Sequence, residues 1–269
     1  MTLVTTDWLE KNLTDVKILD ASWHMPSSNR HAYNEFLEGH IEEAQFFDLD
    51  KNSDESSSLP HMLPNKKKWQ NIISNFGIKN EDQIIVYDNS DVISSCRCWY
   101  MFIYFGHNPN KISVLDGGFK KWNIENKKIV KKITSFKKSD YHVEEKNFMV
   151  KDKNQINENI DSQVFDLIDA RGKNRFLGLE PEPRPGLKSG NIKNSKNIPF
   201  VDCINKKDHT FKSKEEILKI FQGAGVADEK YQIFTCGSGV TACVLALANK
   251  LISDKNPIIY DGSWAEYGS

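Results

Sequence analysis

Apolar positions along this chain fall into short continuous runs separated by polar turns. V-K-I-L-D at 16–20, I-I-V-Y at 84–87 and I-S-V-L-D at 112–116 are four or five residues long and rich in β-branched side chains. Runs of this kind lie on both faces of a sheet against other layers, as strands of a parallel sheet do. The segments around 65–76 and 94–105 read as helices between them. Strands alternating with helices predict an α/β fold with a parallel sheet flanked by helices. Near the N-terminus, Thr6 or Asp7 is expected to cap a first helix.

The pattern is written twice. I-L-D-A-S around Asp20 resembles L-I-D-A-R around Asp169, and Gly39-His40-Ile41 resembles Gly190-Asn191-Ile192. The run ending I-I-V-Y-Asp88 matches the one ending Q-I-F-T-Cys236, and Asp116-Gly117-Gly118 matches Asp261-Gly262-Ser263. Four landmarks in one order at nearly constant spacing indicate two tandem copies of one domain. The polar, Lys-rich stretch before Phe148-Met149-Val150 reads as a linker. The expected organisation is therefore 1–135 for the first domain, 136–147 for the linker and 148–269 for the second.

The two copies differ at the end of one strand. The first continues into Asp88-Asn89-Ser90-Asp91, the second into Cys236-Gly237-Ser238-Gly239-Val240-Thr241. A strand that reaches a cysteine, a Gly-rich loop and then an apolar helix aims backbone N–H groups and a helix N-terminus at one sulfur. The thiolate is the reactive form of cysteine, and surroundings of this type lower thiol pKa values from about 8.5 to roughly 3.5–7.5. One copy is thus expected to carry the chemistry at Cys236 and the other, with Asp88 at the same place, to act as scaffold. Ligand sites in such sheets lie at the carboxyl ends of the strands.

Composition narrows the function. A net charge of −1 and a pI near 6.7 provide no basic face, so no nucleic-acid partner is expected. No apolar stretch approaches the roughly 18 residues of a membrane span, and the first residues lack the apolar region of a signal peptide. The five cysteines are an odd number without CxxC spacing, and Cys96 and Cys98 are too close for a zinc site. A reducing, cytoplasmic location without a metal is expected. Only five arginines occur among 36 basic residues, and three of them, Arg171, Arg175 and Arg184, fall in one short segment. The planar guanidinium fork binds carboxylates in a bidentate manner that lysine cannot reproduce.

Other readings of the loop are weaker. Gly237-Ser238-Gly239-Val240-Thr241-Ala242 matches G-x-G-x-x-A, but only eight residues follow Asp261, too few to complete a dinucleotide-binding sheet. A cysteine-based phosphatase requires an arginine six positions after the cysteine, where Ala242 stands. A non-catalytic sulfur-carrier or binding module is the remaining alternative. Cys243 reads as a buried packing residue, whereas the glycines after Cys236 have no purpose in packing alone.

These residues carry a resemblance. D-A-S-W (20–23), F-F-D-L-D (46–50), H-M-L-P (61–64), L-D-G-G (115–118), R-F-L-G-L-E-P-E-P-R (175–184) and C-G-S-G-V-T (236–241) resemble the motifs of two-domain rhodanese-type sulfurtransferases, specifically the 3-mercaptopyruvate sulfurtransferases, over nearly the whole chain. The resemblance implies two rhodanese domains and a reaction in which Cys236 takes sulfur from 3-mercaptopyruvate as a persulfide, releases pyruvate and passes the sulfur to cyanide or to a thiol such as that of thioredoxin. It implies no cofactor. It assigns Arg175 and Arg184 to the substrate carboxylate and keto oxygen, and Asp50, His61 and Ser238 to a proton relay. Gly237, Gly239, Val240 and Thr241 form the substrate-binding loop. A thiosulfate sulfurtransferase is the alternative within the family, but thiosulfate-using relatives carry basic side chains directly after the cysteine, and here Gly237 and Ser238 bring no cation. Arg171, in D-A-R, is expected to pair with a local carboxylate. The chain departs from the family at Gly190-Asn191-Ile192-Lys193-Asn194, where G-H-I-x-G is usual, and at Ile93-Ser94-Ser95-Cys96 before Arg97.

Overall fold

The computed structural model describes all 269 residues, and its strands form two five-stranded sheets in which every pairing is parallel. The first half contains β1 (Leu3–Val4), α1 (Thr6–Lys11), β2 (Lys17–Asp20), α2 (Ala32–Glu38), β3 (Ala44–Phe46), α3 (Lys66–Asn75), β4 (Ile84–Tyr87), α4 (Ser95–Tyr104), β5 (Ile112–Leu115) and α5 (Gly118–Ile124). The second half contains β6 (Val150–Lys151), α6 (Lys153–Ser162), β7 (Phe165–Asp169), α7 (Lys173–Phe176), β8 (Lys196–Asn197), α8 (Lys214–Gly223), β9 (Tyr231–Thr235), α9 (Ala242–Ile252), β10 (Ile259–Tyr260) and α10 (Ser263–Tyr267). The strand orders are β1-β5-β4-β2-β3 and β6-β10-β9-β7-β8, so the duplication read from the sequence is a duplication of topology. β4 and β9 are the central strands. Apart from Tyr231 at the start of β9, which is exposed, their residues are buried because parallel strands are covered on both faces.

The first helix is capped by Thr5, one residue before the expected Thr6 or Asp7. Thr5 is extended and its hydroxyl accepts from Trp8 N at 3.1 Å, while Thr6 already turns helical and its hydroxyl donates to Glu125. Two helices of the second half begin with reciprocal capping boxes, Asp152 with Gln155 and Ser213 with Glu216.

The chain divides into two compact units. Unit 1 comprises Met1–Glu55, Leu63–Lys146 and Lys206–Thr210; unit 2 comprises Ser56–Met62, Asn147–Asn205 and Phe211–Ser269. Each unit thus includes one short segment carried by the other half of the chain. The polar stretch before residue 147 has no regular structure but belongs to unit 1: Tyr141 is fully buried, its N–H donates to Ser74 Oγ at 3.3 Å, and Lys146 N donates to Tyr104 O at 2.8 Å. The core of unit 1 gathers Ile18, Ile85, Tyr87, Leu115, Phe36 and Trp122; that of unit 2 gathers Leu167, Ile192, Ile233, Tyr260 and Trp264.

Candidate active site

Cys236 follows β9, at the carboxyl end of the central strand of unit 2. Its N–H donates to Ser263 Oγ at 3.2 Å, and its carbonyl accepts from Trp264 N at 2.9 Å. Ala265 N donates to Gly237 O at 2.9 Å. The first turn of α10 therefore grips both ends of the cysteine and holds the loop to the sheet. Gly239 takes a positive φ of 76°, which a glycine adopts without steric cost, and its carbonyl accepts from Cys243 Sγ at 3.2 Å. The turn continues through Val240 and Thr241, the N-cap position, into α9, most of whose residues are buried. Cys236 itself is 2% exposed. Cys243 is wholly buried, one residue into the helix, and acts as a packing residue that also ties down the loop.

The arginines converge on this loop. A Cβ placed on Gly237 would meet Arg175 Nη2 at 3.2 Å and Arg184 Nη1 at 3.8 Å. The absent side chain at 237 lets the Arg175 guanidinium approach the residue next to the sulfur this closely, with Arg184 at ordinary contact distance beside it. Arg184 Nη2 also donates to Ser238 Oγ at 3.4 Å. Arg175 projects from α7, where Nη2 donates to Glu182 Oε2 at 2.5 Å. Arg171 has the local role expected of it. Its Nη2 donates to Asp169 Oδ2 at 2.7 Å and its Nη1 to Glu182 Oε1 at 2.6 Å, with its guanidinium carbon 4.3 Å from the centre of the Trp264 ring. Burial works against the Arg171 charge, but Asp169 and Glu182 outweigh it and hold the pKa above its ordinary value.

His61 belongs to the short segment of unit 2 that the first half carries, and its Nδ1 lies 2.9 Å from Ser238 Oγ. It is 5% exposed and sits at a positive φ of 59°. Ser238 Oγ therefore accepts from Arg184 and shares a hydrogen bond with His61. Asp50 belongs to unit 1, where its two oxygens accept from Trp23 Nε1 at 3.1 and 3.0 Å. Glu182, which the sequence reading did not single out, is the carboxylate joining Arg171 to Arg175, with its side chain 1% exposed.

The equivalent loop of unit 1 is closed on itself. The Asp88 carboxylate accepts from Ser90 N and Ser90 Oγ at 2.9 and 2.5 Å, and from Ser95 N at 3.3 Å. Its carbonyl accepts from Phe119 N at 2.9 Å, as that of Cys236 does from Trp264. An acceptor-only carboxylate, already bonded by its own loop, stands where unit 2 places a thiol.

A sulfur at the end of a central parallel strand, in a glycine turn flanked by guanidinium groups, defines a protein built for nucleophilic cysteine chemistry. The chain belongs to the rhodanese family, for the rhodanese-like domain matches it twice, over residues 5–125 and 152–269. It is 37% identical to the mouse 3-mercaptopyruvate sulfurtransferase over 98% of this chain and 91% of that one. It is also 37% identical to the mouse thiosulfate sulfurtransferase, with the same coverage of 98% and 91%. The crystal structure of SseA from Escherichia coli, described with 3-mercaptopyruvate sulfurtransferases, superposes with a TM-score of 0.88 at 30% identity, over 98% of this chain and 99% of that one. No helix of the chain is long and apolar enough to cross a membrane.

Proposed function

We propose that the protein is a sulfurtransferase that takes sulfur from 3-mercaptopyruvate through a persulfide on Cys236. The observation that carries this reading is the approach of Arg175 and Arg184 to Gly237, beside the sulfur, on a loop with no cation of its own. A ketoacid presents a carboxylate and a keto oxygen at a distance from its thiol, and two planar forks suit those oxygens. The Cys236 thiolate attacks the donor sulfur. The new S–S bond forms as the donor C–S bond breaks, and the bonding pair leaves on carbon as the enolate of pyruvate. A proton then converts the enolate to pyruvate. An acceptor thiolate, or cyanide, attacks the outer sulfur and returns Cys236 as thiolate. His61 and Ser238 are suited to moving the proton, because the imidazole lies 2.9 Å from the hydroxyl and can take up or return a proton along that hydrogen bond. Asp50 completes the relay in this reading, and Val240 and Thr241 shape the substrate loop.

The finer assignments belong to the same proposal. A thiol protein such as thioredoxin is the acceptor, and the five free cysteines suit a reducing cytosol. Likeness to a thiosulfate sulfurtransferase favours thiosulfate as a second donor. The test is intact mass after incubation with each donor. A gain of one sulfur, about 32 Da, is expected with 3-mercaptopyruvate and is lost in Cys236→Ser. Turnover retained by Cys236→Ala, or a much larger kcat/KM with thiosulfate, overturns the mechanism or the donor, respectively.

A further inference from the structure

Arg175 does not reach the sulfur loop as an isolated cation. Besides the Nη2 bond to Glu182, its Nε donates to Glu182 Oε1 at 3.3 Å. The same carboxylate holds Arg171, which is held in turn by Asp169. Asp169, Arg171, Glu182 and Arg175 form a continuous ladder of two carboxylates and two guanidinium groups, with a formal charge of zero. The side chains of the first three are 2%, 1% and 1% exposed, so water does little to screen them. Only Arg175 is partly open, at 24%, and it ends against Gly237. It therefore offers the loop a fixed fork of N–H donors whose positive charge is already matched.

This has a consequence for the choice of donor. A monocarboxylate ketoacid needs oriented N–H donors on oxygens that share one charge. An inorganic sulfur donor such as thiosulfate carries two charges in a small volume and needs an excess of positive potential. We propose that Glu182 is the positioning residue that selects a singly charged ketoacid over a doubly charged inorganic donor, by fixing the Arg175 fork and cancelling its charge. The inference rests on the sulfurtransferase reading above and deepens it to substrate class.

Glu182→Gln keeps the shape and raises the charge of the ladder by one. The ratio of kcat/KM for thiosulfate to that for 3-mercaptopyruvate is expected to rise roughly tenfold, through KM rather than kcat, and to fall back as salt is added. Glu182→Asp keeps the charge and shortens the reach, so both donors weaken while their ratio stays within about threefold. A ratio unchanged in Glu182→Gln, with both activities falling together, overturns the proposal and leaves Glu182 a structural residue. On the unaltered enzyme, which needs no variant to fold, pyruvate is expected to inhibit more tightly than sulfate at low ionic strength; the reverse order overturns the proposal too. A wild-type protein that takes sulfur from neither donor refutes the sulfurtransferase reading instead.

Discussion

Gly237 shows how one missing side chain organises the site. Its hypothetical Cβ lies 3.2 Å from Arg175 Nη2, tighter than ordinary contact, so Gly237→Ala forces the fork back by a few tenths of an ångström. The backbone there is not in the left-handed region, so the alanine meets no positive-φ penalty and also restricts the unfolded chain, which offsets the displaced fork. We expect kcat/KM for 3-mercaptopyruvate to fall several-fold while the melting temperature holds or rises slightly, worth roughly 0.4–1 kcal/mol. At Arg184 the fork itself is the feature: Arg184→Lys keeps the charge and loses the planar donors, so KM is expected to rise roughly tenfold. An unchanged KM and kcat count against its assignment. At this scale the sequence was readable where chemistry and rarity coincide. Cys236 stands between a strand and glycines, and three of only five arginines cluster. Glu182 was not readable, because one carboxylate among 37 acidic residues reveals its role only when two guanidinium groups are found on it. His61 and Ser238 are too far apart in the chain for any spacing argument, and family resemblance alone joined them.

The same strand ends differently in the two halves, and this sets their response to pH. β7 ends at Asp169, whose carboxylate is paired with Arg171. β2 ends at Asp20, with Ser22 in place of the arginine; Ser22 N and Oγ donate to Asp20 Oδ1 at 2.9 and 2.5 Å. Hydroxyl and amide donors do not replace a cation. Burial pushes the Asp20 carboxyl up to about 7 despite these bonds, with the neighbouring Asp88 adding to the rise. The folded protein then holds a proton that the unfolded chain releases above a pH of about 4. Stability from this group is fully present below pH 4 and is lost as pH rises towards 7. Asp20→Asn removes that dependence. Urea unfolding at pH 5 and pH 8 checks it: relative to wild type, the variant should gain at the higher pH by an amount on the order of a few kcal/mol. A difference that is the same at both pH values contradicts the burial argument. Strand existence was legible here because parallel strands are short apolar runs. The two-residue strands β1, β6 and β8 were not, since two residues carry no periodicity. The first cap was misread by one position because threonines stand side by side at 5 and 6, and only backbone geometry decides which hydroxyl turns back.

Across the molecule, duplication extends to the segments that each unit takes from the other half. His61 and His209 stand as far apart in sequence as Asp88 and Cys236, or Ser90 and Ser238. Both histidines have left-handed backbones, with φ of 59° and 61°. His61 meets Ser238 in unit 2. His209 lies in unit 1 with Lys206–Thr210, where burial pushes its imidazole pKa down and the Lys120 charge adds to this, against opposing pulls from Asp88 and Asp91. The tip is anchored there by Lys120 Nζ, which donates to Lys206 O at 3.3 Å, and by Thr210 N, which donates to Asp208 Oδ1 at 3.2 Å. Equivalent positions thus have different neighbours. His61→Asn is expected to lower sulfur transfer more than tenfold, and His209→Asn to leave it within about twofold, in a side-by-side steady-state assay. Equal losses would mean that the histidines serve the fold and not the proton.

A gene cut at the polar stretch before residue 147 yields a carboxyl-terminal product that owns the sulfur but not its imidazole, and an amino-terminal product short of its own borrowed pentapeptide. Neither half of the gene therefore encodes a whole unit: each is completed by a short segment written in the other.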